Sequence, residues 1–205
     1  MTSKTSRIEA FSDGVFSIAA TLLVLELKPP AAGLPFWSGL AAQWTSFASF
    51  LLSFLFIGIM WMNHHRLFTH LRRSDDVLML TNLLLLLGVV WIPYPTLLMA
   101  QAVTKGDLRD PAILYNGSYL LIAILFNVQL YAAIRRGLAD SALVDIRHIA
   151  QSYLIGPGIY ALCFALTWWS VPISLALNAA MALYFLLSPS LRVRHPSARR
   201  AAEQD

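Results

Sequence analysis

Residues 77–104, VLMLTNLLLLLGVVWIPYPTLLMAQAVT, form a stretch of 28 residues without a charged side chain. A helix rises about 1.5 Å per residue, so roughly 20 apolar residues cross the ~30 Å hydrocarbon core of a bilayer. Uncharged stretches of sufficient length lie on both sides of this one, at residues 29–65, 111–134 and 149–191. The pattern predicts an all-α integral membrane protein.

The composition of the 205 residues supports this fold class. Hydrophobic residues make up 58% and charged residues 13%, whereas about 25% of an average soluble domain is charged. So few charges exclude a soluble globule, an intrinsically disordered chain and a nucleic-acid-binding module. Cys163 is the only cysteine, so it cannot form a disulfide within one chain, and its apolar surroundings are typical of a small core residue.

Six membrane spans fit the charge pattern. The domain covers residues 1–191 and a basic tail covers 192–205; the spans lie at about 8–28, 36–65, 76–103, 111–134, 149–170 and 172–188. The first span has the shortest uncharged core, at residues 14–25. A secretory signal peptide is the alternative there, but Glu9 and Asp13 are out of place before the apolar region of a signal.

The basic side chains predict an orientation for these spans. With a cytoplasmic N-terminus, 12 of the 15 lysines and arginines fall on the cytoplasmic side, and only Lys28, Lys105 and Arg109 fall outside. This excess agrees with the positive-inside rule. The protein is therefore predicted to lie in the cell membrane with both termini in the cytoplasm. The orientation also explains the net positive charge, so no nucleic acid is expected as a partner.

The first span carries an apolar stripe with a single hydroxyl. At about 100° per residue, Ile18, Thr21, Leu22 and Leu25 share an arc of about 100°. Asp13 falls on the far side, where a carboxylate within a membrane needs a partner on another helix. The stripe fits either ordinary helix packing or the lining of a pore, and periodicity alone favours packing.

A histidine cluster ends the second span. His64, His65 and His70 follow Trp61 and raise the alternative of a metal-dependent membrane enzyme. Such a site needs three or more converging ligands, and the chain contains no HExxH or HxxxH motif. We therefore predict no metal, no cofactor and no enzymatic activity. One of His64 and His65 is instead expected to hydrogen-bond to a buried carboxylate, for which Asp13 is available.

The third span contains Pro93 and Pro95, which remove backbone donors and must bend the helix. No filter loop of the TVGYG type occurs in the chain, so ion selectivity cannot come from a ladder of backbone carbonyls. Single polar residues on the later spans, namely Asn116, Asn127, Gln129 and Asn178, are typical of interhelical hydrogen bonds.

Three motifs together resemble the prokaryotic branch of the lysosomal potassium channel family, the transmembrane protein 175 type. The first helix contains Arg7-x-x-x-Phe11-Ser12-Asp13, which matches the RxxxFSD signature of that family. The second span contains Trp61-x-x-His64. The third contains Asn82 before a leucine run and then Ile92-Pro93-x-Pro95-Thr96. The resemblance is close over the first half of the chain and extends to the second half only in the number of spans.

The resemblance implies a passive, potassium-preferring cation channel. It implies a homotetramer around a central pore that is lined by the first helix and has no filter loop, with potassium as the permeant ion. A hydrophobic gate is implied at Ile18, Leu22 and Leu25, and a selectivity position at Thr21. Structural roles are implied for Arg7, Phe11, Ser12, Asp13, Trp61, His64 and Asn82, with His64 or Asn82 as the partner of Asp13.

A proton-coupled secondary transporter is the alternative from another class. Asp13, Glu26 and His64 would then be the relay groups. Transporters commonly contain inverted repeats with broken helices, and the two halves of this chain show no such match.

Overall fold

The computed structural model describes residues 5–30, 33, 35–139 and 146–187, without the side chains of 103–105, 146–155 and 186–187. Apart from one isolated β-bridge, the regular structure in these ranges is helical. The helices are α1 (Ser6–Leu22), which continues as a 3-10 segment (Leu23–Glu26), α2 (Phe36–Ala41), α3 (Trp44–Thr69), α4 (Asp76–Trp91), α5 (Pro93–Lys105), α6 (Arg109–Arg135), α7 (Ile146–Thr167) and α8 (Val171–Leu187). The predicted tail at 192–205 lies outside the described residues.

Four helical stretches in the described part of the chain are long and apolar enough to cross a membrane. They are Ser6–Glu26, Trp44–Thr69, Asp76–Ala102, which joins α4 and α5, and Arg109–Arg135. Two shorter apolar stretches, Gly156–Thr167 and Val171–Phe185, follow at the positions predicted for the fifth and sixth spans. The prediction of an all-helical membrane protein is therefore confirmed, and the number of six spans stays a prediction.

The first helix ends earlier than the predicted residue 28. Its α-helical part stops at Leu22, and after the 3-10 segment the backbone becomes extended at Leu27 (φ −77°, ψ 113°). Pro29 explains this end, because its ring would clash with a carbonyl group four residues earlier and it also restricts Lys28 to extended conformations.

The predicted second helix is interrupted near its start. A single helix over 36–65 is wrong, because α2 ends at Ala41 and α3 begins only at Trp44. Between them, Gln43 (φ −95°, ψ 15°) has a backbone conformation outside the helical region. Its N–H bonds to the carbonyl oxygen of Leu40 (3.1 Å), three residues earlier, as in a 3-10 turn, whereas an α-helix bonds four residues back. α3 then continues past residue 65 and ends at Thr69.

The third span is divided at Ile92, directly before the two prolines that were predicted to bend it. Pro93 has no N–H to bond to the carbonyl oxygen of Val89, and the N–H of Ile92 bonds to it instead (3.1 Å). The hydroxyl of Thr96 donates to the carbonyl oxygen of Ile92 (2.8 Å). The Val89 and Ile92 carbonyls are thus paired inside the protein, as membrane helices with breaks require.

α6 lies at the centre of the protomer and packs against α4, α5 and α7, whereas α1 packs mainly against α3 and α4. Tyr119 of α6 is fully buried and contacts the ring of Phe56 on α3 (centroids 4.7 Å apart). α4 and α6 approach closely at Gly88, where a Cβ atom would lie 2.8 Å from Cγ1 of Ile122. A larger residue there would force the Ile122 side chain or one of the two helices to shift.

A polar contact joins the loop before α4 to the end of α6. Asp75 accepts a hydrogen bond from the N–H of Leu78 (2.9 Å), which caps α4, and it also pairs with the guanidinium of Arg136. These interactions, the Leu78 N–H first, lower the pKa of the Asp75 carboxyl below its ordinary value. The Asp75–Arg136 contact therefore connects the two halves of the helical chain.

Candidate functional site

α1 has one face that is buried in the protomer and one that is exposed. Ser12, Phe16, Ala19 and Leu23 are buried against the neighbouring helices. The predicted stripe lies on the opposite side, where Ile18 is 59% exposed and Leu22, Leu25 and Thr21 are also exposed. Packing within one copy therefore does not explain the stripe. The roles of these residues as gate and selectivity position stay predictions.

Leu25 points in a different direction from the one that a continuous α-helix predicts. It belongs to the 3-10 segment, which has about three residues per turn, so residues three apart lie above one another. Leu25 therefore lies almost directly above Leu22 along the helix axis. Leu25 is 73% exposed and remains on the exposed side of α1.

Thr21 places a hydroxyl oxygen on the exposed face. Its O–H donates to the carbonyl oxygen of Ile18 (2.9 Å). Because the proton is used in this bond, the lone pairs of Oγ1 remain available to accept from water or to coordinate a cation. The helix thereby orients the hydroxyl as an oxygen ligand.

A buried hydrogen-bond network fixes the other face of α1. The hydroxyl of Ser12 donates to the carbonyl oxygen of Ile8 (2.8 Å) and accepts from Nδ2 of Asn82 (3.0 Å). Oδ1 of Asn82 accepts from Nε2 of His64 (2.8 Å) and from Nε2 of Gln129 (2.9 Å). No side chain in this group is more than 1% exposed. α1, α3, α4 and α6 therefore meet in one network, which contains three of the predicted structural residues.

Asp13 bonds to Trp61, and its predicted pairing with His64 or Asn82 is wrong. The indole Nε1–H of Trp61 donates to Oδ1 of Asp13 (2.8 Å). Asp13 follows Ser12 directly, which places it about 100° further round the helix, and it is only partly buried. A carboxylate at the edge of α1 does not reach the buried centre where His64 lies.

A second contact between α1 and α3 joins a histidine to a carboxylate, as expected for one of His64 and His65, but the carboxylate is the half-buried Glu9 and not Asp13. Oε1 of Glu9 lies 2.6 Å from Nδ1 of His65, and the His65 ring stacks on that of Trp61 (centroids 6.3 Å apart). Glu9 precedes Asp13 by four residues, and His65 follows Trp61 by four. This matched i, i+4 spacing on two helices is the signal that would have predicted the contact.

Arg7 and Phe11, the remaining predicted structural residues of the first motif, lie on the exposed side of α1. Phe11 is 57% exposed. The core of the protomer therefore does not include them, although the sequence groups them with the buried Ser12.

The structure does not bring together the groups that the transporter alternative needs. His64 bonds to Asn82, whereas Asp13 bonds to Trp61. Glu26 lies at the end of the 3-10 segment, 13 residues or about 20 Å along the helix from Asp13.

Metal-ligating side chains do not converge in the part of the chain whose side chains are described. No group of three His, Cys, Asp or Glu residues occurs there. Nδ1 of His70 bonds to the carbonyl oxygen of Arg66 (2.6 Å). His148 and His195 lie outside the described side chains.

A second buried polar cluster joins α6, α7 and α8. Nδ2 of Asn116 on α6 donates to Thr167 of α7 (2.7 Å) and Ser174 of α8 (2.9 Å), and Nδ2 of Asn178 donates to Oδ1 of Asn116 (2.6 Å). The interhelical bonds predicted for Asn116, Gln129 and Asn178 are therefore confirmed. Nδ2 of Asn127 donates within α6, to the carbonyl oxygen of Ala123 (2.9 Å).

The hydroxyls of Ser53 and Thr96 are 2.8 Å apart and connect α3 to α5. This contact could not be predicted from the sequence, because serine and threonine are too common in membrane helices to single out two of them.

A groove of about 450 Å³ lies between α1 and α3, which we call the α1–α3 groove. Asp13, Ser17 and Thr21 line it from α1, and apolar side chains and Gly58 line it from α3. Because Thr21 belongs both to this groove and to the exposed stripe, the two surfaces are continuous.

Known proteins resemble the chain in sequence. A model of the family described as Endosomal/lysosomal potassium channel TMEM175 matches residues 7–93. A potassium channel from Chamaesiphon minutus is 43% identical over 195 residues, which cover 90% of this chain and 95% of that protein. The human protein named endosomal/lysosomal proton channel TMEM175 is 37% identical over 115 residues, which cover 51% of this chain and 22% of that protein.

The fold also resembles a solved structure. The crystal structure of a lysosomal potassium-selective channel TMEM175 homolog from Chamaesiphon minutus matches with a TM-score of 0.82 and 41% identity, over 91% of this chain and 98% of that chain. The similarity therefore extends over both halves of the chain, beyond the three motifs of the first half.

Proposed function

The chain belongs to the TMEM175 family of potassium channels, and we propose that four copies of it form a passive potassium-conducting pore in the cell membrane. The protein is an integral membrane potassium channel and not an enzyme. The tetramer, the lining of the pore and the residues that gate it are the parts that this proposal adds.

The division of α1 into two faces is the observation that carries the proposal. The network of Ser12, Asn82, His64 and Gln129 holds one face against the protomer. This leaves Ile18 and Leu22 exposed on the other face. A helix that is fixed on one side and open on the other is suited to line a path between copies, because a single protomer cannot enclose a pore with one stripe.

The gate follows from the chemistry of this stripe. Four copies of Ile18, Leu22 or Leu25 around an axis would form apolar rings, which make a water column unfavourable and close a pore without charged groups. Thr21 would supply a ring of four hydroxyl oxygens as the selectivity position for potassium, the permeant ion. Selectivity of this kind is modest, because four hydroxyls replace only part of an ion's hydration shell.

The proposed topology has six spans with both termini in the cytoplasm. α7 and α8 supply the fifth and sixth spans, and α7 has a length of 22 residues, enough to cross a membrane. The exposed Arg72 and Arg73 follow α3, and Arg135 and Arg136 lie at the C-terminal end of α6. This topology places both of these ends on the cytoplasmic side.

Reconstitution of the purified protein into a planar bilayer tests the proposal. We expect unitary currents whose reversal potential in potassium and sodium gradients shows a preference for potassium, and native mass spectrometry should give a tetramer. A separate pH gradient tests whether protons also permeate. Saturable flux without unitary currents, or conduction by a monomer, would contradict the proposal.

A further inference from the structure

We propose that four arginines at one end of the helices bind the phosphate of an anionic phospholipid, and that an acyl chain of the same lipid lies along α6. The arginines are Arg72, Arg73, Arg135 and Arg136, which we call the α3–α6 basic cluster. The site is formed within one protomer, so the proposal goes beyond ion conduction and requires neither the tetramer nor the pore.

A backbone contact between two segments holds the cluster together. The N–H of Arg72 donates to the carbonyl oxygen of Leu138 (3.0 Å), and Leu71 pairs with Ala139 in an antiparallel β-bridge. The side chains of Leu71 and Leu138 are both buried. Gly137 allows the chain to turn after α6, because its φ of 63° is a left-handed conformation that glycine adopts without strain. The fold therefore brings the arginine pair after α3 close to the pair at the end of α6.

The cluster is exposed and has an excess of positive charge. All four of its arginines are exposed. The acidic residues of the same two segments, 70–76 and 135–139, are Asp75 and Asp76, and Asp75 pairs with Arg136. An excess of two positive charges therefore remains at the ends of the helices, where lipid phosphates lie. A planar guanidinium is suited to bind phosphate, because it offers two parallel N–H donors.

An aromatic neighbour on the same helix orients Arg135. The Nε–H of Arg135 donates to the hydroxyl of Tyr131 (2.6 Å), and its Cζ lies 5.2 Å from the centroid of the Tyr131 ring. A guanidinium has five N–H donors, and this bond uses one of them. Tyr131 is 58% exposed, and tyrosine is typical of the boundary between the hydrocarbon core and the headgroups. The contact therefore places the Arg135 guanidinium at the depth of the lipid phosphates.

An exposed apolar stripe, which we call the α6 stripe, leads from Arg135 into the membrane. It consists of Leu121, Ile124, Val128 and Tyr131, all exposed. With Arg135 these residues follow one another at spacings of three and four, so they lie within an arc of about 80° on one side of the helix. From Tyr131 to Leu121 the stripe is about 15 Å long, half of the ~30 Å hydrocarbon core. An acyl chain of one leaflet fits this length, which favours a phospholipid over a soluble phosphate.

The opposite end of α6 provides a matched control. Arg109 also lies over an aromatic ring, with its Cζ 5.0 Å from the centroid of Trp168. Asp107 and Asp110 are its neighbours in the chain, and residues 105–110 contain two basic and two acidic side chains. Carboxylates repel phosphate, so an arginine in this balanced segment is not expected to bind an anionic headgroup.

Native mass spectrometry of the detergent-purified protein, titrated with lipid, tests the cluster. Phosphatidylglycerol should bind more tightly than phosphatidylcholine with the same acyl chains. Arg135→Gln should lower the affinity for phosphatidylglycerol about fivefold, which is the contribution of one arginine near an anionic lipid surface. The double variant Arg72→Gln with Arg73→Gln should lower it further, whereas Arg109→Gln should leave it unchanged. Equal binding of the two lipids, or parental affinity in both cluster variants, would contradict the proposal.

Photolabelling tests where the acyl chain lies. Phosphatidylglycerol with a diazirine on its acyl chain should label α6 between Leu121 and Tyr131 on illumination. Labels spread equally over the other exposed helices would overturn the assignment of the α6 stripe.

A soluble competitor separates the lipid from a free phosphate. Glycerol phosphate, which carries the anionic group without acyl chains, should not displace phosphatidylglycerol at equal concentration. Displacement would show that the cluster binds a soluble anion, and the lipid assignment would then be wrong. None of these measurements depends on unitary currents, so their failure and the failure of the proposed pore are distinguishable.

Discussion

α1 and α6 are equally apolar helices with opposite surroundings. The most apolar part of α6 is covered twice as fully as that of α1, 44% against 22%. α6 uses buried polar residues such as Asn116 and Gln129 to bond other helices on several sides. α1 concentrates its buried polar contact on Ser12 alone and leaves a full stripe exposed. Hydropathy therefore identifies a span, whereas the distribution of its polar residues around the helix shows whether it is a central support or a surface.

Replacing an exposed side chain on each helix gives the strongest test of this difference. Ile18→Asn should raise basal conductance by about tenfold or more, because a polar ring wets a constriction that an apolar ring keeps dry. Ile124→Asn, on the exposed surface of α6, should leave the open probability unchanged. Single-channel recording measures both, and equal behaviour of the two variants would show that α1 does not line the pore.

Adding a methyl group tests how tightly α6 is enclosed. Gly88→Ala places a Cβ 2.8 Å from Cγ1 of Ile122, and such overpacking costs about 1–3 kcal/mol. Gly158→Ala, where a Cβ meets no atom within 4 Å, should be neutral or slightly stabilising. The melting temperature of the detergent-purified protein reports the difference. A Gly88→Ala protein as stable as the parent would show that the α4–α6 contact accommodates a methyl group without strain.

A double-mutant cycle measures the attachment of α1 at the edge of the groove. Asp13→Ala and Trp61→Phe each remove one partner of the 2.8 Å bond, and each should lower the free energy of unfolding by about 1–2 kcal/mol. The double variant should lose less than the sum of the two, because they share one interaction. Asp13→Asn keeps an acceptor oxygen and should lose less than Asp13→Ala, with unchanged selectivity. Strict additivity would contradict the contact.

Removing the hydroxyl of the exposed stripe should have a smaller effect. Thr21→Val retains the shape of the side chain and loses Oγ1, so the preference for potassium over sodium should fall about two- to fivefold. Thr21→Ser should retain the preference. Thr81→Val is the matched control on α4, since its hydroxyl also bonds to carbonyl groups of its own helix but is buried. Reversal potentials measure the permeability ratio of potassium to sodium in each variant. An unchanged ratio in Thr21→Val would show that Thr21 is not the selectivity position.

The smallest expected effect concerns the contact that holds the end of α6. The pKa of Asp75 is lower in the folded protein than its ordinary value of 3.8, so folding favours the ionised carboxylate. This stability is present above pH about 4 and is lost as the pH falls through the folded pKa. In Asp75→Asn, the melting temperature of the purified protein should therefore fall less steeply than in the parent as the pH is lowered from 5 into the acid range. A variant with the same acid dependence as the parent would assign that dependence to other groups.

The sequence predicts faces better than partners. Helical periodicity placed Ile18, Thr21 and Leu22 together on the side opposite the buried Ser12, because the direction of a side chain depends only on its own helix. Periodicity did not identify Trp61 as the partner of Asp13. A pairing between helices depends on their relative height and rotation, which no single helix encodes.

An irregularity within a predicted span was foreseen only where a proline acts. Pro93 accounts for the break at Ile92, whereas the interruption at Gln43 has no such marker in the sequence. That Glu9 is the carboxylate partner of His65 was missed for another reason. Two ordinary surface-type residues become partners only when α1 and α3 pack together, and their matched spacing is a weak signal in a single sequence.

The 3-10 segment at the C-terminal end of α1 gives that helix a variable pitch. A 3-10 turn rises about 2.0 Å per residue and an α-turn about 1.5 Å. Rewinding the four residues Leu23–Glu26 into an α-helix would shorten α1 by about 2 Å and swing Leu25 by about 60° around the axis. The length of α1 and the direction of the Leu25 side chain are therefore coupled at this end of the helix. A force that stretches or shortens the segment would also rotate Leu25 around the axis.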